Sequence, residues 1–204
     1  LFADASGFTA LTEKLADRPD GAEVLAATLH RYFAASIRVA ARRGGDVISF
    51  SGDAVTILWQ CAGENGEDSG ESAAERGENG EGAAAERDAS PAMLAAALAA
   101  CRCALEMHRE LLENPDLADC PFRIHSGVGC GALSRVHVGG VAGRWQLLLD
   151  GAPLREISVA EPLAHSGETV VSPTVWALVS GSAGVSGARV AEPPAPSDGY
   201  VRLL

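Results

Sequence analysis

The chain is 204 residues long and 47% hydrophobic, with 16 Lys and Arg against 27 Asp and Glu and a net charge of -11. That length suits one domain with a substantial core plus an insertion, and an acidic excess without a basic stripe excludes a nucleic-acid binder, which needs clustered Lys and Arg. No apolar stretch reaches the roughly 20 residues of a membrane-spanning helix and no charged-then-apolar leader precedes the first motif, so the reading is a soluble cytoplasmic domain with no transmembrane segment in this stretch.

The chain opens at Leu1 rather than Met, and Leu1-Phe2-Ala3 reads as the tail of a strand, as in a piece of a longer protein. Asp4 ends that apolar run beside Ala5-Ser6-Gly7-Phe8-Thr9, a Gly-containing turn leading into a short helical pattern. Asp20 and Glu23 then have capping-box spacing, and Leu25, Leu29, Phe33 and Ile37 recur at helical intervals up to the Gly44-Gly45 stop. Val47-Ile48-Ser49-Phe50 and Val55-Thr56-Ile57-Leu58-Trp59 flank the turn Ser51-Gly52-Asp53, which predicts a hairpin with Asp53 at its tip. Residues 63–90 contain no aromatic and no aliphatic beyond Ala, with nine acids against Arg76 and Arg87, and read as a disordered acidic insertion. Pro91 suits the start of a second long helix whose stripe is Leu94, Leu98, Cys101, Leu105 and His108, running to about Leu112.

Residues 122–129 then read as a strand, as do 136–141 and 145–149, while 154–165 has a helical pattern and Thr169-Val170-Val171 is again strand-like. The order predicts an α+β fold with helices covering one face of a mostly antiparallel sheet. Residues 1–192 are assigned to that domain, and residues 193–204, which open on Pro-rich linker chemistry, to a linker or an edge strand. Cys61, Cys101, Cys103, Cys120 and Cys130 are odd in number and lack paired CxxC spacing, so they are read as reduced thiols rather than zinc ligands.

A strand ending at Asp4 beside a hairpin tip carrying Asp53 brings two carboxylates to a pair of Mg²⁺ ions, for which Mn²⁺ can substitute. The backbone N–H groups of the Ala5-Ser6-Gly7-Phe8-Thr9 turn then face the β- and γ-phosphates of a nucleotide, with Gly7 permitting close approach. Gly-Asp pairs are common in turns, so either motif alone is weak and only their combination carries the reading.

Taken together, Phe2 to Thr9, Gly44-Gly45-Asp46-Val47-Ile48 through Trp59, and Gly127 through Gly131 resemble the class III nucleotidyl cyclase domain. Within that family the likeness is to the first catalytic domain of the soluble, bicarbonate-responsive adenylyl cyclases, and it runs from about Leu1 to Trp176 outside the insertion. The resemblance implies a ferredoxin-like βαββαβ core that pairs head-to-tail with a second cyclase domain, expected in the same chain. It implies conversion of ATP to 3′,5′-cyclic AMP and pyrophosphate at the shared interface. By the same resemblance Asp4, Asp53 and the Ala5 carbonyl are metal ligands, Ser6, Gly7, Phe8, Thr9 and Gly52 cradle the nucleotide, and His125 stands where relatives often have a Lys or Arg reaching the triphosphate.

Three positions depart from the family pattern. Ser49 stands where adenine-selecting members have Lys, and Arg155 and Ser158 fall where the ribose-orienting Asn and transition-state Arg belong. A site built from this segment alone therefore lacks charge stabilisation at the transferring phosphate. The resemblance then implies a metal-donating half-domain that needs a partner, with a weak bicarbonate response through the pocket that Ser49 and Ser158 would line. The alternative is an inactive pseudo-cyclase that binds nucleotide or a partner and regulates it.

Overall fold

In a computed structural model of the chain, residues 1–61, 90–117, 120–190 and 198–204 are described. The acidic stretch at 63–89 and the Pro-rich stretch at 193–197, both singled out in the sequence, lie outside the described residues. The elements in chain order are β1 (Phe2–Ser6), α1 (Phe8–Leu15), α2 (Gly21–Arg42), β2 (Asp46–Ser51), β3 (Ala54–Leu58), α3 (Pro91–Glu113), β4 (Arg123–Val128), β5 (Leu133–Gly139), β6 (Trp145–Gly151), α4 (Ala152–Ala160), β7 (Thr169–Val171), α5 (Pro173–Val179), β8 (Gly187–Arg189) and β9 (Val201–Leu203).

Seven strands form one sheet in the order β2-β3-β1-β4-β7-β9-β8. The first four pair antiparallel, because the β2–β3 hairpin reverses the chain and β3 and β4 then flank β1 on either side. Only β4 and β7 run parallel. The sheet is thus mostly antiparallel, as the alternating sequence pattern predicts.

Alternation on β1 sets the two faces. Ala3 and Ala5 are buried with α2 and α3 residues in one core cluster, while Phe2, Asp4 and Ser6 point the other way. The fully buried stripe of α2 is Thr28, Tyr32, Ala35, Ser36, Val39 and Ala40; of the predicted residues Leu29 and Phe33 pack against that core from its flank, whereas Ile37 is 41% exposed. On α3 the buried set is likewise Ala97, Ala100, Cys101, Cys103, Ala104, Met107 and Leu111, with Leu94, Leu98 and Leu105 at its flanks. Small side chains alternate on this face with Tyr32, Met107 and Leu111 and let the helices approach closely, while the leucines close the sides of the contact. The Thr28 and Ser36 hydroxyls buried on α2 are satisfied locally, Thr28 donating to Val24 O at 2.8 Å and Ser36 to Tyr32 O at 3.0 Å.

Four further points differ from the sequence reading. Asp20 precedes α2 but does not cap it with its side chain, because Arg18 takes both carboxylate oxygens at 2.9 and 2.7 Å. The predicted 154–165 helix is α4 followed by a 3₁₀ turn at Glu161–Leu163, broken there by Pro162. The helices do not all share a face: α2 and α3 cover one side of the sheet, and α4 packs on the other against β4. Gly127 permits this, since a Cβ there would lie 2.8 Å from Glu161 N and 3.1 Å from Ala160 Cβ. Finally, Val201–Leu203 is not an edge strand. It pairs with β7 on one side and β8 on the other, and the edge is β8, a Gly-Ala-Arg segment with no strand signal of its own.

The start of α3 at Pro91 is as the sequence predicts, and Ser90, assigned above to the insertion, proves to be its cap. Pro91 opens the helix, and the Ser90 hydroxyl accepts from Met93 N–H at 3.2 Å.

Candidate active site

β1 pairs with β3 only through Phe2 and Ala3, whereas its ladder to β4 continues to Ser6. Asp4 and Ala5 therefore lie on a stretch of β1 that has a strand neighbour on one side only. The β2–β3 hairpin turns back beside this stretch and carries Asp53 just before Ala54. Burial pushes the Asp53 carboxyl above the usual carboxylate range, and the charge of Asp4 adds to that effect, while its own backbone hydrogen bond and His125 work the other way. Asp4 thus lies near enough to Asp53 for its charge to act on it. Two neighbouring carboxylates suit a hard divalent cation, which takes oxygen ligands.

The turn that follows Asp4 is built around Gly7, whose φ of 102° is left-handed and open to glycine at little cost. No side chain caps α1 at this point, so the first N–H groups of that helix are not taken by a capping oxygen. Thr9 is exposed and stands in the first turn of α1. Phe8, assigned above to the nucleotide cradle, has its ring against Phe122 at 6.5 Å, and Phe122 in turn meets Tyr32 edge-on at 5.6 Å. The ring of Phe8 anchors the turn to the core, which leaves its backbone N–H for the site. Tyr32 lies beneath: its hydroxyl is fully buried without a hydrogen bond, and burial with the charges of Asp4 and Asp53 pushes the phenol up.

His125 stands directly across the ladder from Asp4. Both of its ring nitrogens are engaged: Nδ1 with Ser6 Oγ at 2.9 Å, and Nε2 with Glu161 Oε1 at 2.7 Å, with Asp4 Oδ2 at 3.7 Å. The sequence reading missed Glu161 entirely. Nothing in its local pattern marks it, because it reaches His125 only through the close packing of α4 on Gly127. Asp4, His125 and Glu161 each bring one ligand atom within 4.8 Å of the others.

The departing positions are exposed. Ser49 lies on the outer strand β2, Ser158 donates to Arg155 O at 2.7 Å, and Arg155 approaches Asp150 at 3.9 Å, so none of the three side chains joins the Asp4–Asp53 cluster. Between Arg155 and Ser158, Glu156 ties α4 to the rest of the domain. It accepts from the Cys130 N–H at 2.8 Å, the Ser172 hydroxyl at 2.7 Å and the Thr174 hydroxyl at 2.6 Å. Glu156→Ala leaves all three donors without their acceptor and is expected to destabilise the fold by about 2–4 kcal/mol, read as a lowered urea midpoint, with Glu156→Gln losing less.

The β5–β6 hairpin stands apart from the main sheet and is apolar at its surface. Val136 and Val138 are each 50% exposed, Val141 83% and Trp145 66%. A patch of this kind on a chain otherwise rich in charge marks an interaction surface. Among the described residues no helix is long and apolar enough to cross a membrane.

Comparison with known proteins gives a consistent result. Adenylate cyclase type 10 of the rabbit Oryctolagus cuniculus is 27% identical over 183 residues, and the human protein of that name is 27% identical over 184 residues, each alignment taking in 87% of this chain. The chain spans about a tenth of the length of these relatives. Among solved structures, the adenylyl cyclase CyaB from P. aeruginosa matches with a TM-score of 0.68 at 17% identity, covering 100% of this chain and 91% of that one. The guanylyl cyclase Cya2 matches with a TM-score of 0.61 at 20% identity, covering 99% and 87%. The guanylate cyclase domain of RhGC from Catenaria anguillulae, solved with GTP, matches with a TM-score of 0.64 at 16% identity, covering 99% and 91%. No family model matches the chain.

Proposed function

Because the chain is homologous to adenylate cyclase type 10 and has the class III nucleotidyl cyclase fold, we propose that it is one half of an adenylyl cyclase. It converts ATP to 3′,5′-cyclic AMP and pyrophosphate at an interface with a second cyclase domain. The observation that carries this reading is the meeting of Asp4 and Asp53 beside the uncapped start of α1. A scaffold has no need of a half-buried carboxylate beside the charge of a second one.

In this reading Asp4, Asp53 and the Ala5 carbonyl hold two Mg²⁺ ions. When bound, such ions lower the cost of deprotonating the ribose 3′-hydroxyl and neutralise charge on the polyphosphate. The chain's own residues supply the rest of one wall. The turn from Ser6 to Thr9, with Gly52 across from it, receives the phosphates through backbone N–H groups, and Phe8 fixes that turn by packing on Phe122. The 3′-oxygen attacks the α-phosphorus, the bond to the bridging oxygen breaks, and pyrophosphate leaves with its electron pair. His125, held by Ser6 and Glu161, lines the site beside Asp4 rather than reaching freely for the triphosphate.

Base recognition and the charge that stabilises the transition state must come from the partner, since Ser49, Arg155 and Ser158 supply neither. The apolar β5–β6 hairpin suits the contact with that domain. The test is an assay of the longer protein with Mn²⁺ and either ATP or GTP, following the cyclic nucleotide and pyrophosphate. Cyclic AMP from ATP supports the reading, and cyclic GMP alone replaces the substrate. Nucleotide binding without turnover selects the pseudo-cyclase alternative, which the exposed Arg155 and Ser158 favour.

A further inference from the structure

Nε2 of His125 faces two carboxylates. Glu161 Oε1 lies 2.7 Å away and Asp4 Oδ2 3.7 Å away, while the far side of the ring rests on the Ser6 hydroxyl at 2.9 Å. In the metal-free site the Nε2–H donates to Glu161, and the Ser6 hydroxyl donates to Nδ1. A hydroxyl also accepts, so the ring can exchange its tautomer where it stands. The proton then sits on Nδ1 and is received by Ser6 Oγ, and the bare Nε2 lone pair is directed at the two carboxylates. That is the arrangement of a metal-binding histidine, whose second nitrogen is fixed by an outer partner.

The distances suit a small tetrahedral ion. With ligands at about 2.0–2.1 Å, neighbouring donor atoms stand about 3.3 Å apart. The Glu161 contact must open from 2.7 Å by about 0.6 Å and the Asp4 contact close from 3.7 Å by about 0.4 Å, and the two carboxylates, within 4.8 Å of each other, must draw together, shifts that side-chain rotation supplies. All three ligands are only partly buried, with side-chain exposures of 29% for Asp4, 19% for His125 and 22% for Glu161, so an ion has a way in. Imidazole with two carboxylates favours zinc-type ions, whereas magnesium prefers oxygen ligands alone.

We propose that Asp4, His125 and Glu161 form a binding site for a zinc-type ion that shares Asp4 with the Asp4–Asp53 position. The site stands on the placement of these residues and does not depend on the cyclase reading. A zinc-type ion bound here draws on the Asp4 carboxylate that also serves the Asp4–Asp53 position, so it competes for that group with a magnesium-type ion. Glu161 makes the difference between the two, because it belongs only to the nitrogen-containing set.

Zinc titration of the whole 204-residue chain in competition with a fluorescent chelator tests this directly, without reference to activity. Glu161→Gln and His125→Ala are each expected to weaken zinc binding at least about tenfold, and Asp53→Asn to leave it within about threefold. Cys61→Ser guards against capture by the exposed thiol and is also expected to leave binding within about threefold, and Co²⁺ in place of zinc should show no thiolate charge-transfer band. Circular dichroism of each variant confirms that it is folded. Absence of zinc binding in the unsubstituted chain, binding that survives Glu161→Gln and His125→Ala, or binding lost with Cys61 overturns the proposal.

Discussion

Asp4→Ala and Asp53→Ala each lower cyclic AMP formation by the paired enzyme by about 10²–10³-fold or more. In the proposed two-metal site both carboxylates hold ions between the turn and the hairpin tip. The loss is not a loss of folding. Burial and the charge of Asp4 both disfavour the ionised form of Asp53, so the folded state holds its proton more tightly than the unfolded chain does. Above its raised folded-state pKa the ionised group costs stability, and the uncharged Asp53→Asn variant avoids that cost. A thermal melt of Asp53→Asn at neutral pH should therefore give a midpoint equal to or above that of the unsubstituted chain, alongside the collapse in turnover. A lowered midpoint that accounts for the lost activity would contradict the assignment.

Acid weakens the fold through a partly buried histidine on α3. His108 Nε2 lies 2.9 Å from Thr169 Oγ1, which lies 2.8 Å from Ser126 Oγ, so one polar chain joins α3 to β7 and β4. Burial lowers the His108 pKa from 6.5 to about 4. Above pH 6.5 both folded and unfolded chains carry it neutral, and its contribution is complete. Between pH 6.5 and about 4 the unfolded chain binds a proton that the folded chain refuses, and stability falls as the pH drops through that window. The loss amounts to about 3 kcal/mol at the lower end, and below it the contribution is flat. His108→Gln keeps a group able to bond Thr169 and removes the titration. Urea unfolding at pH 7 and pH 4.5 should show a markedly larger drop for the unsubstituted chain than for the glutamine variant, and parallel drops would contradict the account.

The architecture was legible where local chemistry is decisive. The Asp4 and Asp53 turns, the hairpin between them, and the Ser90-Pro91 start of α3 are each written in a few adjacent residues whose turn and capping preferences agree with the fold. The core-facing sides of α2 and α3 were legible only in part: Cys101 is buried as predicted and Leu29, Phe33, Leu94, Leu98 and Leu105 flank the core, while its centre is filled largely by Ala, Ser, Thr and Cys beside Tyr32 and Met107. Close approach selects volume, and hydrophobic periodicity does not report it. The same limit hid Glu161. Its contact with His125 spans 36 residues and exists because Gly127 lets the end of α4 settle on β4. Asp20 shows the reverse error: its spacing to Glu23 was genuine, yet Arg18 offered its carboxylate a charged partner two residues away.

Exposure of the apolar hairpin and the outward positions of Ser49, Arg155 and Ser158 lead to one conclusion about self-association. Two copies of this chain, paired with each other, would duplicate the metal-holding residues and still lack the partner's contribution. The most direct measurement is ATP turnover with Mn²⁺ by this chain alone across a wide range of concentration, beside the longer protein that contains it. The account predicts no cyclic AMP above background from the isolated chain at any concentration, and turnover in the longer protein. Activity of the isolated chain rising with the square of its concentration would show that two copies complete a site, and would contradict the half-site reading.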